Sequence, residues 1–104
     1  MLMADLKSLS KLPEVKSAVL CNACGSLLES MGELEGESVA AVIGFLTGAM
    51  ARAGDHVGLG TLRRIAWTGQ AQACLVVVQG DTVTTAFVAP PTALSAVEKV
   101  FDAS

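Results

Sequence analysis

The stretch that most constrains this chain is residues 37–53, ESVAAVIGFLTGAMARA, which reads as a helix with almost no water-facing side. At helical spacing Val39, Val42, Ile43, Leu46 and Met50 share one face, and Ala40, Gly44, Thr47, Gly48 and Ala51 share the face roughly opposite. A surface helix of a small domain carries charge on the side away from its core, yet no residue from Val39 to Ala51 is charged. The helix is therefore expected to be covered twice. The bulky stripe would lie on the chain's own sheet, and the small stripe would admit the backbone of a partner. Glu33, Glu35, Glu37 and Arg52 bound the run and leave it short of the ~20 apolar residues a membrane span needs.

The rest of the composition fits one domain over residues 1–104, with 52% hydrophobic residues to build a core. Acids and bases are interspersed and the formal net charge is -3, which argues against nucleic acid. The opening MLMADLKSLSKL has neither a continuous apolar run nor a small-residue cleavage site, so no signal peptide is read. Three cysteines cannot all pair within one chain, which fits a reducing, cytoplasmic setting.

In chain order, residues 2–12 read as an amphipathic helix lined by Leu2, Leu6 and Leu9 and stopped by Pro13. Residues 15–21 and 26–30 read as a hairpin around Asn22-Ala23-Cys24-Gly25, where Asn suits the first turn position and Gly the fourth. The long helix follows, with Gly54 as its expected C-cap. Three strands come next, at residues 62–68, 72–79 and 82–89. The second is apolar on both faces through Cys74-Leu75-Val76-Val77-Val78 and is expected at the centre of the sheet. Pro90-Pro91 breaks the last strand, and Thr92 is placed to cap a final helix to about Asp102, with Leu94, Val97 and Phe101 on one face. The order α-β-β-α-β-β-β-α predicts an α+β fold, with the long helix on one face of an antiparallel sheet and the two terminal helices on the other.

Taken together, LPEVKSAVLCNACGSLLES, the long helix, VGLGTLRRIAWTG and VVVQGDTVTTAFVAPPTALSAVEKV resemble the roadblock or dynein-light-chain superfamily, in particular its bacterial branch. The landmarks are the Leu12-Pro13-x-Val15 entry, Gly25 at the first hairpin tip, Leu59-Gly60 leading into the third strand and the Gly80-Asp81 turn. The hairpin tip departs from the family pattern in carrying Cys21 and Cys24. The resemblance implies a roadblock (profilin-like) fold, a five-stranded antiparallel sheet between helices, that forms a homodimer. The long helices would lie side by side through Ala40, Gly44, Thr47, Gly48 and Ala51, and the third strands would pair edge to edge through Arg63, Arg64, Ile65, Ala66 and Trp67. It implies a regulator or scaffold of a small Ras-like GTPase, possessing no cofactor.

The residues themselves assign no catalysis. There is no GxxxxGK[ST] phosphate loop, and Gly58-x-Gly60 follows a helix rather than a strand, so it reads as helix termination. Arg52, Arg63 or Arg64 could serve as a charge-stabilising finger toward a partner GTPase, but surface solvation explains each of them. Cys21-x-x-Cys24 is the alternative chemistry, a thiol redox or metal site. It sits in a turn rather than at a helix start, and with Cys74 and His56 the chain has only four Cys and His residues. His56 reads as a loop residue and Trp67 as a strand residue or interface anchor. A dimerisation module with no GTPase partner is the blander option.

Overall fold

The computed structural model describes residues 11–32 and 35–102. The helix expected over residues 2–12 lies outside the described residues apart from its last two. The strands are β1 (Val15–Asn22), β2 (Leu27–Met31), β3 (Arg64–Thr68), β4 (Ala73–Gln79) and β5 (Thr82–Val88). The helices are α1 (Gly36–His56) and α2 (Leu94–Asp102), the latter entered through a 3-10 turn at Pro91–Ala93 rather than through a Thr92 cap. All neighbouring strands are antiparallel, in the order β2-β1-β5-β4-β3. β4 is an inner strand as its double-sided apolar pattern predicts, but the middle place belongs to β5. β5 holds it with Val83, Thr84, Thr85 and Ala86 all buried in succession.

Each strand sends alternate side chains to opposite faces, so the sheet has two cores. On one face Val15, Ala18, Leu75, Val77, Ala86 and Val88 pack with Val97 of α2. On the other, Val19, Cys21, Val76 and Val83 pack with Ala40 and Ile43 of α1. The long helix and the last helix therefore cover opposite faces, as the element order predicts.

The first hairpin forms as its residues dictate. Asn22 Oδ1 accepts from the backbone N–H of Cys24 and of Ser26, each at 3.0 Å, and Gly25, at φ 87°, donates to the Asn22 carbonyl at 3.0 Å. β2 is tied to β1 with a bulge, because Leu20 pairs with Glu29 while Cys21 pairs with Leu27. Leu28 is left over and 54% exposed.

α1 runs through Gly54, one turn past the expected stop. Gly58, at φ 77°, takes the left-handed position; its N–H reaches the Asp55 carbonyl at 3.3 Å, and Leu59 N–H reaches the Gly54 carbonyl at 2.8 Å. These two bonds form a Schellman close, which satisfies carbonyls the helix would otherwise leave open.

The rotation of α1 about its axis differs from the expectation. Ala40, Ile43 and Thr47 are its buried residues, whereas Val42 is 62%, Phe45 76% and Met50 43% exposed. The helix is turned by roughly a quarter turn, so that much of the small stripe faces its own chain. A Cβ on Gly44 would stand 2.6 Å from Gly25 Cα, so the two glycines permit the first hairpin's tip to lie against the helix backbone. The close backbone approach is real, but it is made inside the chain.

Candidate interaction face

The candidate site is a surface, formed where α1 lies beside β3 at the end of the sheet. β3 ends the sheet and has β4 as its neighbour, through Ile65↔Val76, Ala66↔Leu75 and Trp67↔Cys74. Ile65 packs into the core beneath α1, while Ala66 is exposed and Trp67 is 64% exposed. Arg63 is exposed, and its carbonyl accepts from Val78 N–H at 2.8 Å, just ahead of the strand. Arg64 points to the opposite face, where its guanidinium lies 3.4 Å from the Glu98 carboxylate of α2. It is thereby held to its own chain rather than extended as a finger.

The helix half of the predicted interface is corrected. Ala40 is fully buried, Gly44 is against Gly25, and Thr47 is buried with its hydroxyl donating to the carbonyls of Ile43 at 2.9 Å and Gly44 at 3.2 Å. None of these three is available to another molecule. Gly48 and Ala51 are half-buried, and only Arg52 Nη1 comes near the space above Gly48, at 3.6 Å. The outward face instead presents Val42 and Met50, which the helical pattern assigns to the sheet-facing stripe, and Phe45, which belongs to neither stripe. Their absence from the core was signalled by Gly25 and Gly44, two residues without side chains that allow a helix and a hairpin tip to touch.

Between α1 and the strands β3, β4 and β5 the surface sinks into an apolar groove of about 460 Å³, walled by Val39, Val42 and Leu46 from the helix and by Trp67, Cys74 and Phe87 from the sheet. At the C-terminal end of α1 a wider hollow of about 1230 Å³ opens beside Met50, Val57, Leu59, Leu62 and Arg63. Val57 and Leu59 are 71% and 78% exposed. No residue of α1 between Val39 and Ala51 brings a charge to this side.

The placement of the cysteines does not favour a redox pair. All three are free thiols; Cys21 points into the α1 core, and Cys24 is exposed on the turn. Burial pushes the Cys21 thiol up, and it pushes Cys74 up to about 11. This is opposite to the depressed value a reactive thiolate requires. Among the described residues no three His, Cys, Asp or Glu side chains gather to hold a metal. Nor, among them, is any helix long and apolar enough to cross a membrane.

No protein-family model matches the sequence, and no curated protein matches it. Solved structures do. Over 85% of this chain and 78% of the other, it is similar to Myxococcus xanthus MglB, with a TM-score of 0.71 at 17% identity. A Roadblock/LC7 domain from Streptomyces avermitilis superposes over 76% of this chain and 69% of its own, with a TM-score of 0.69 at 20% identity. The chain has the roadblock fold. An MglB structure with a tetrameric arrangement shares the fold as well, with a TM-score of 0.68 at 11% identity over 86% of this chain and 74% of that one. At these identities what is shared is the fold alone.

Proposed function

We propose that this roadblock-fold chain is a homodimeric, non-enzymatic regulator or scaffold of a small Ras-like GTPase, working in the bacterial cytoplasm. The observation that supports the self-association is the exposed apolar face of α1, without a charge from Val39 to Ala51, lying beside β3, which ends the sheet among the described residues. An exposed apolar helix face and an unpaired strand edge on the same side are both liabilities in a monomer. A two-fold partner covers both at once. The strands would pair edge to edge through Arg63, Arg64, Ile65, Ala66 and Trp67, and the helices would meet through Val42, Phe45 and Met50. The tetrameric arrangement described for an MglB is a further support for assembly in proteins of this fold.

The regulatory role rests on the resemblance to roadblock proteins of the bacterial branch, because a fold does not by itself fix a function. The chain carries no phosphate loop of its own, so nucleotide chemistry would belong to the partner. The test is binding of the purified protein to a small Ras-like GTPase encoded beside it, loaded with GDP or with a non-hydrolysable GTP analogue. Binding at least roughly tenfold tighter in one nucleotide state supports the reading. Equal affinity for both states, or none for either, contradicts it. The GTP hydrolysis rate in the same mixture then separates activation from scaffolding.

A further inference from the structure

The sheet has a second end, at β2, on the side away from β3. Among the described residues β1 is the one strand that β2 pairs with, so β2 turns the N–H and C=O groups of its other side outward. Leu28 stands 54% exposed at its bulge, and Glu29 and Ser30 beside it are exposed. Acid gathers at this edge from two elements. Gly36, at the start of α1, lies against β2, since a Cβ on it would stand 3.1 Å from Ser30 Oγ and 3.1 Å from Leu27 Cδ2. Its exposed neighbours Glu35 and Glu37 are thereby brought to the same end of the sheet as Glu29. We propose that the β2 edge receives a basic, extended segment of another protein as an added strand.

The occupant follows from charge. Between Lys16 and Arg52 the sequence has no Lys or Arg. Lys16 itself donates to the Pro13 carbonyl at 3.0 Å, and none of Glu29, Glu35 and Glu37 makes an ion pair or side-chain hydrogen bond with another described residue. Leu27 and Ser30 pair with Cys21 and Val19 of the α1 core, whereas Glu29 pairs with Leu20, which packs on the α2 side. Glu29 therefore points to one face of the sheet, while Glu35 and Glu37 approach from the other. An added strand sends alternate side chains to both faces, so its bases meet carboxylates on either side. The same charges disfavour a second copy of this chain. Two β2 edges brought together would set acid against acid, which leaves the edge to a partner of opposite sign. In strand addition the main-chain bonds give affinity, and here charge gives the choice of partner. Lying at the opposite end of the sheet from β3, the edge can be filled whatever covers the α1–β3 face, which gives a scaffold a second hold.

The probe is a short synthetic peptide in which lysine and valine alternate, titrated into the isotope-labelled full chain. Binding is read from the backbone amide shifts and from a dye on the peptide. The shifts should concentrate in Leu27–Met31 and spare Arg64–Thr68. Glu29→Gln combined with Glu35→Gln and Glu37→Gln, all at exposed positions, should weaken binding by at least roughly tenfold. The same peptide N-methylated throughout keeps its charge but loses its main-chain donors, and should not bind; nor should a version with glutamate in place of lysine. These two peptides need only the wild-type protein, so the test stands even if the triple variant folds poorly. Shifts centred on β3 would place the peptide elsewhere and overturn the proposal. Binding of the methylated peptide as tight as that of the parent would reduce the interaction to charge attraction without a strand. Undiminished binding by the folded triple variant would remove the acids from recognition, and no binding of the lysine and valine peptide at all would remove the site.

Discussion

Gly44 and Gly48 sit one turn apart on α1, and their environments make opposite demands. A Cβ on Gly44 would stand 2.6 Å from Gly25 Cα and 2.8 Å from its nitrogen, and backbone cannot step aside as a flexible side chain can. Gly44→Ala should therefore destabilise the monomer by about 1–3 kcal/mol in denaturant unfolding, through overpacking. At Gly48 only Arg52 Nη1 comes within contact, at 3.6 Å, so Gly48→Ala should be neutral or stabilising by up to about 1 kcal/mol, through helix propensity. Equal effects at the two sites would mean that α1 is not rotated as described. With Gly25 against it, added bulk at Gly44 damages the fold itself rather than a contact with another molecule.

The thiols give a second prediction at the same scale. Burial raises Cys74 from 9.0 to about 11 and raises Cys21 in the same direction. Between the two values the folded state holds protons that the unfolded chain releases, so stability is full below about pH 9 and falls as pH rises toward 11. Unfolding free energy measured across that range should slope downward, and Cys74→Ala should flatten the slope. In the native protein at neutral pH a thiol reagent should modify Cys24 quickly and Cys21 slowly, since Cys24 is exposed and Cys21 is buried.

At the scale of elements, most of the fold is written in local patterns. The Asn22–Gly25 turn, the Gly80-Asp81 turn and the two-sided apolar run from Cys74 to Val78 each name their structure through turn chemistry or periodicity. The rotation of α1 is not written locally. Two stripes of the helix were apolar, and periodicity cannot say which of them meets the sheet when neither is charged. The deciding contact joins Gly25 to Gly44 across the fold, so it is legible only once the hairpin tip has been placed over the helix. The close of α1 lies one turn past the Gly54 that the sequence points to, for a related reason. Gly54 and Gly58 both suit a C-terminus, and the hydrogen bonds of Gly58 and Leu59 decide between them. Gly58→Ala should cost about 1 kcal/mol in thermal or denaturant unfolding, because alanine pays for a left-handed backbone that glycine adopts freely. No loss of stability would mean that the helix ends elsewhere.

For the whole molecule, one largely apolar face lies where a helix, a groove and a strand edge run together. The third strand was legible as an element, at residues 62–68, and it forms at an end of the sheet, whereas its use as an interface came only as what the roadblock resemblance implies. The helix half of the face was not legible, and its apolar residues moved from the expected core to the surface. Two copies joined there would bury Val42, Phe45 and Trp67, which are among the most exposed large apolar side chains described. The measurement that tests this most directly is the solution mass of the wild-type protein by light scattering across a broad concentration range. Twice the chain mass of 10.6 kDa at micromolar concentration, falling toward the single mass on dilution or holding throughout, is the predicted result. A mass that stays at 10.6 kDa at every concentration would contradict the claim that a second copy covers this face.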